Sequence, residues 1–133
     1  MNYQDLKQKQ QKELNDFTGI FWAFSNEQFA EGVEAVSIDV DKPKIVSIGA
    51  GGYIRADRLQ AFKDLLAAHK EELKRFRKDQ KELLAAIVYE LRNHEYCITY
   101  DTAPALSALG LQLGDIDKKI LNKACREAVQ GVA

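Results

Sequence analysis

Residues 58–95 read RLQAFKDLLAAHKEELKRFRKDQKELLAAIVYELRNHE, and this stretch decides the fold. It contains neither glycine nor proline, the two residues that most often interrupt a helix. Apolar side chains recur at spacings of three and four residues, the pattern of one helical face. The stretch predicts one long helix, or a helical hairpin that turns within the polar residues 77–80. Its seam is formed by Phe62, Leu66, His69, Leu73, Phe76, Gln80, Leu83 and Ile87.

The sequence before this helix predicts a small sheet of about three strands. Residues 18–24 (TGIFWAF) are aromatic and favour a buried strand, and residues 44–48 are rich in β-branched side chains. Residues 53–55 can return antiparallel after a glycine-rich turn. A sheet of this size is stable only when helices pack on it.

Shorter helices are expected on both sides of the long one. Residues 1–16 are amphipathic, and Ser25-Asn26-Glu27-Gln28 is a capping box that opens a helix to about residue 36. Asp57 is a candidate N-cap for the long helix. Residues 96–100 (YCITY) favour a strand or a crossing segment, and two helices follow, the last over residues 116–129.

These elements predict an α+β fold, mostly helical. The small sheet of about three strands packs against one long helix (or helical hairpin) and several short helices. The 133 residues fit a single domain, 1–133. Hydrophobic residues make up 46% and charged residues 29% of the chain, proportions typical of a folded protein.

Charge and hydropathy exclude several classes of protein. The net charge is −1, which argues against general nucleic-acid binding. Residues 70–81 carry six basic and three acidic side chains, and this interleaving favours a solvated helix. The longest apolar run, residues 83–89, is too short to span a membrane. The polar N-terminus resembles no signal peptide, so we expect a cytoplasmic protein with buried free thiols at Cys97 and Cys125.

Three stretches carry a resemblance to a known family. They are FWAFSNEQFAEG at 21–32, SIGAGGYIRADR at 47–58, and YELRNHEYCITYD through ALGL at 89–111. The chain resembles a family of small uncharacterised proteins from phages and integrated mobile elements of Gram-positive bacteria. The resemblance implies a mobile-element product that acts inside a bacterium, and it supplies no catalytic signature.

The glycine-rich turn is a candidate ligand site. Small residues let backbone N–H groups approach a phosphate, and two arginines follow closely. The spacing matches neither GxxxxGK[ST] nor GxGxxG, and a hairpin turn explains the glycines without any further assumption. The candidate ligand-binding residues are Gly49, Gly51, Gly52, Tyr53, Arg55 and Arg58.

Glu90, His94 and Cys97 form a second cluster of candidate functional residues. Glu90 and His94 are four residues apart, on one helical face, but two ligands do not make a structural zinc site. Cys97 beside His94 suggests a thiol–base pair, but the sequence favours a buried thiol, because neither an orienting partner nor an oxyanion site is identifiable. With no identifiable nucleophile, carboxylate pair or metal set, we expect no enzyme, no metal and no cofactor.

The functional expectation is therefore a non-enzymatic interaction protein. Its partner would be a host or mobile-element protein, or a second copy in a homodimer, and its role counter-defence or regulation of host machinery. A small-ligand module that binds a nucleotide or other anion is the alternative. The expected interaction surface lies on the helix seam at Phe62, Leu66, His69, Leu73, Phe76 and Gln80.

Overall fold

The computed structural model describes residues 1–130 and contains both helices and a sheet. The predicted α+β class is confirmed, including the three-stranded sheet. Two short 3₁₀ turns, Ala56–Arg58 and Leu113–Asp115, accompany the regular elements. In chain order these are α1 (Tyr3–Asn15), β1 (Ile20–Trp22), α2 (Asn26–Ala35), β2 (Ile45–Gly49), β3 (Gly52–Arg55), α3 (Leu59–Phe76), α4 (Gln80–Asn93), α5 (Tyr96–Thr99), α6 (Ala103–Ala108) and α7 (Lys118–Val129).

The described chain falls into two compact units. The sheet unit comprises residues 8–70, and the helical unit comprises residues 1–7 and 71–130. The single domain over residues 1–133 stays a prediction, and residues 131–133 lie outside the described part. Within residues 1–130, no helix combines the length and apolar character needed to cross a membrane.

In the sheet unit, β3 lies between β1 and β2 and is antiparallel to both. Phe21 and Tyr53 form a cross-strand pair with stacked rings 5.5 Å apart, and Phe29 of α2 packs edge-on against both. The opposite face carries the pair Ile20 and Ile54, and Ile54 is completely buried. Alternation along β1 therefore gives the two faces of the sheet different neighbours.

Helix α2 begins as the sequence predicts. Ser25 Oγ accepts a hydrogen bond from the Gln28 backbone N–H, and Gln28 Oε1 accepts one from the Phe24 N–H. The helix then approaches β1 closely at Gly32, where an added Cβ would lie 2.1 Å from the Phe21 ring. The Ser25 cap sets where this helix begins, and Gly32 allows it to pack closely against β1.

The helical unit is built around α4. Ala86, Ile87 and Leu91 are completely buried, and α6 and α7 supply much of the remaining core. Tyr3 of α1 also belongs to this core. Apolar side chains on one face of α4 thus provide the surface on which the other helices of this unit pack. The remaining buried members are Val88, Ala105, Leu106, Leu109, Leu121, Ala124 and Ala128.

Of the two alternatives predicted for residues 58–95, the structure has the turn at 77–80 and not one continuous helix. Helix α3 ends at Phe76, and α4 begins after Asp79, whose carboxylate accepts from the N–H groups of Lys81 and Glu82. A capping carboxylate at this point satisfies donors that a continuous helix would bond to its own carbonyls. Local capping thus competes successfully with helix propagation.

Four smaller predictions also need correction. Residues 96–100 contain the short helix α5 instead of a strand, and the last helix begins at Lys118, with Asp117 as its N-cap. Asp57 does not cap α3, because its carboxylate binds Arg55. Both cysteines are free, as expected, but they are half-buried rather than buried.

Candidate interaction surface

An apolar groove lies beside β1 in the sheet unit. Its volume is about 550 Å³, and residues from the end of α1, from β1 and from α3 line it. Most of the lining side chains are apolar, so the groove offers water little hydrogen bonding. We call it the β1 groove, and its lining residues are Leu14, Asn15, Phe17, Ile20, Trp22, Phe62 and Leu66.

Two large apolar side chains of the β1 groove are exposed to solvent. The exposed fraction is 60% for Trp22 and 43% for Leu66. Single exposed apolar residues are ordinary, whereas a group beside an apolar groove is typical of a contact surface. Tryptophan is also among the residues that contribute most to binding energy at protein interfaces. The β1 groove is therefore the strongest candidate for a docking surface.

Aromatic contacts hold the floor of the groove. The rings of Phe17 and Phe62 are 5.5 Å apart, and the guanidinium of Arg58 lies 4.4 Å from the Phe17 ring centroid. Arg58 also donates to the Thr18 carbonyl. These contacts link the segment after α1 with the start of α3, so the groove has a defined shape before any partner binds.

Among residues 1–130, no strand pairs with the outer edge of β1, which lies beside the same groove. Gly19 O accepts from Arg55 N, and Ala23 N donates to Gly51 O, so these flanking residues bond toward β3. In an antiparallel ladder the inward and outward residues alternate. The N–H and C=O groups of Ile20 and Trp22 therefore point away from β3, toward the open edge of the sheet.

The predicted helix-seam surface is divided between several environments. Phe62 and Leu66 line the β1 groove, and His69 is buried. Leu73 and Phe76 pack against the core of the helical unit, while Gln80 lies exposed in the first turn of α4. Ile20 and Trp22 are not predicted as surface residues, because the run TGIFWAF is typical of a buried strand.

His69 is buried within the sheet unit and faces α1. Its backbone carbonyl accepts from the Gln10 side chain, and its Nε2 lies 3.7 Å from Glu13 Oε1. The imidazole therefore faces α1 and does not contribute an exposed polar contact. This differs from the role expected for a polar residue on a dimer seam.

The glycine-rich turn has the backbone geometry predicted for a hairpin. Gly49 and Gly51 have φ angles of +88° and +80°, and Ala50 between them is also left-handed. Glycine is favoured at such positions because a side chain is strained there. Gly51 also lies against the Phe24 ring, because a Cβ added at Gly51 would lie 2.3 Å from a carbon of that ring. The glycines are thus explained by turn geometry and by the packing of Phe24.

The two arginines of the candidate anion site are already engaged. Arg55 is buried and pairs with the carboxylates of Asp57 and Asp39, whose hydrogen bonds raise the pKa of its guanidinium. Arg58 contacts Phe17 and the Thr18 carbonyl. An anion at the turn would compete with two carboxylates for Arg55, which weakens this site as a ligand-binding hypothesis.

A buried carboxylate cluster occupies the helical unit. Glu90 is completely buried, and its Oε1 accepts from Tyr3 Oη and Lys7 Nζ, each at 2.7 Å. Burial alone raises the pKa of Glu90, but the hydrogen bonds from Lys7 and Tyr3 and the charges of Lys7 and His94 outweigh it. The pKa of Glu90 therefore lies below its ordinary value, and this residue stays ionised.

His94 completes the cluster as its spacing predicts. Its Nε2 lies 3.2 Å from Glu90 Oε2, and no hydrogen bond joins it to Cys97 among the described residues. Across residues 1–130, no group of three or more His, Cys, Asp or Glu side chains could hold a metal ion. Tyr3 and Lys7 both donate to Glu90 Oε1. Because these donors belong to α1 and Glu90 belongs to α4, the cluster links the two helices.

The fold and the groove define a small α+β protein that carries an apolar groove beside an edge strand of its sheet. Residues 2–130 match the model of a family of unknown function, DUF7659, and the chain belongs to that family. No curated protein and no solved structure matches the chain significantly.

Proposed function

We propose that this protein acts by binding another protein, without catalysis, and that the β1 groove is its contact surface. The observation that carries the proposal is the exposure of Trp22 and Leu66 beside an apolar cavity of about 550 Å³. Burial of such side chains is the principal driving force of protein association. The pre-formed aromatic floor lowers the entropic cost of binding.

The proposed setting follows from the family resemblance seen in the sequence. Proteins of phages and mobile elements act on bacterial components, so the proposed partner belongs to the cytoplasm of a bacterial host or to the element itself. Inhibition of a defence system or regulation of host machinery is the proposed role. The proposal does not involve the buried Glu90 cluster, whose contacts with Tyr3, Lys7 and His94 lie within the helical unit.

Site-specific photocrosslinking in a bacterial host tests the contact surface. A benzophenone amino acid replaces Trp22 and, in the matched control, Ile38, which is 91% exposed in the same unit. We expect a discrete crosslinked protein from position 22 and none from position 38. Leu66→Glu should abolish the adduct, since it places a charge in the groove, whereas Ile38→Glu should leave it unchanged. Equal crosslinking from both positions would refute the proposal.

A further inference from the structure

The two edges of the sheet differ in how they are protected against strand pairing. The β2 edge follows Pro43 and Lys44, and its register shifts between Ser47 and Gly49. Proline, lysine and bulges are the devices that protect edge strands from pairing with another chain. β1 has a regular register with β3 and contains none of these residues. The sheet is therefore open to a further strand on the β1 side.

The outward groups of β1 are complementary to those of a second β1. Ile20 and Trp22 both direct their N–H and C=O groups outward, and Phe21 lies midway between them. A two-fold axis beside Phe21 would place Ile20 of one copy opposite Trp22 of the other. Each such pair exchanges two backbone hydrogen bonds in an antiparallel ladder. The symmetric arrangement thus satisfies every outward group of both strands.

The side chains follow the same symmetry. Ile20 and Trp22 lie on one face of β1, because alternate residues share a face. When the two strands pair, each exposed Trp22 lies against the Ile20 of the other copy, which lines the β1 groove. The same arrangement therefore pairs the two β1 strands and buries the exposed Trp22 of each copy. A strand of three residues supplies few backbone bonds, so the apolar contacts must contribute most of the affinity.

From these relationships we infer that a second copy of this chain occupies the β1 edge, forming a two-fold dimer with a continuous six-stranded sheet. This inference rests on the proposed function, since it names the partner of the same surface. It differs from a dimer on the predicted helix seam, because Leu73 and Phe76 are already used in the core of the helical unit.

Size exclusion with light scattering measures the assembly across a concentration series. We expect about 30 kDa for the wild type, twice the 15.0 kDa chain. Leu66→Glu and Ile20→Pro should return the mass to that of one chain, while Ile38→Glu should remain dimeric. Ile20→Pro removes an outward N–H that is not used within the sheet, as proline does at edge strands. Circular dichroism of each variant verifies that it is folded.

A disulfide experiment tests the register itself. In a background with Cys97→Ser and Cys125→Ser, chains with Ile20→Cys are mixed with chains carrying Trp22→Cys. A two-fold axis at Phe21 predicts disulfide-linked dimers in the mixture and none in either variant alone, because position 20 faces position 22 of the other copy. Linked dimers from one variant alone would overturn this register.

The outcomes separate this inference from the proposed function. A monomer at every concentration, with no disulfide in the mixture, overturns the second copy as partner. If Trp22 then crosslinks to a different protein in the cell, the β1 groove remains a protein-binding surface. If position 22 yields no adduct either, both proposals fail. An adduct with the mass of two chains supports the second copy as the occupant of the β1 edge.

Discussion

Lys7 Nζ lies 2.7 Å from Oε1 of Glu90, and the two partners differ sharply in their exposure to solvent. The Glu90 side chain is buried, whereas 41% of the Lys7 side chain remains exposed. The ammonium also lies 5.5 Å from the Tyr3 ring centroid and 5.2 Å from that of Tyr89. The lysine thus brings a positive charge to a carboxylate that solvent cannot reach, and it retains part of its own hydration.

Replacement of this lysine tests the energetic role of the pair. Lys7→Met keeps the aliphatic stem but leaves the buried carboxylate with Tyr3 as its remaining hydrogen-bond donor at Oε1. We expect a decrease of about 1–3 kcal/mol in the free energy of unfolding, measured by chemical denaturation. Lys12→Met is the control, because both Lys12 and its partner Asp16 are exposed to solvent. Similar losses in both variants would contradict a special role for Lys7.

The protonation of Glu90 should make stability depend on pH. The pKa of Glu90 in the folded protein is below its ordinary value of 4.5, so the folded state favours the ionised form. Its contribution is therefore fully present above about that ordinary value and is lost as the pH falls through the folded-state pKa. Denaturation of the wild type and of Glu90→Gln should show a difference in stability that shrinks toward acidic pH. A difference that is constant with pH would exclude this linkage.

The sequence predicts local features better than long-range ones in this cluster. Glu90 and His94 are four residues apart, so one helical turn brings them together whatever the rest of the chain does. Lys7 and Tyr3 are 83 and 87 positions from Glu90. Their contacts depend on how α1 packs against α4, which neither spacing nor composition specifies. The metal-compatible pattern was therefore recognised, whereas the ion pair that occupies the carboxylate was not.

The exposed residues of the β1 groove also depend on long-range packing that the sequence does not specify. The run containing Ile20 and Trp22 predicts a strand, and the structure has one there. Whether Trp22 is exposed depends on strand order, and β1 becomes an edge only because β3 lies between β1 and β2. Local propensity carries no information about that order. Phe62 and Leu66 were recognised because helical periodicity marks the apolar face of α3.

Packing at Gly32 gives a prediction that opposes helix propensity. Alanine is favoured over glycine within a helix by about 1 kcal/mol, so propensity alone predicts that Gly32→Ala stabilises the protein. The new Cβ would lie 2.1 Å from the ring of Phe21, which is buried in the sheet unit. We expect a net loss of about 1–3 kcal/mol, because overpacking displaces the ring or the helix. Thermal denaturation with Gly114→Ala as control measures it, since no atom lies within 4 Å of that added Cβ. Stabilisation by Gly32→Ala would contradict the observed contact.

The break between α3 and α4 supports the last prediction. Asp79 Oδ1 accepts from Lys81 N at 3.0 Å and from Glu82 N at 3.2 Å, so one carboxylate oxygen caps two donors. Asp79→Ala should reduce the free energy of unfolding by about 1 kcal/mol, the usual effect of removing an N-cap. Thr102→Ala is the matched control, because Thr102 occupies the N-cap of α6 without a side-chain hydrogen bond. Chemical denaturation of both variants separates the lost hydrogen bonds from the change in residue type. Equal stabilities for the two variants would show that the Asp79 cap does not contribute to the start of α4.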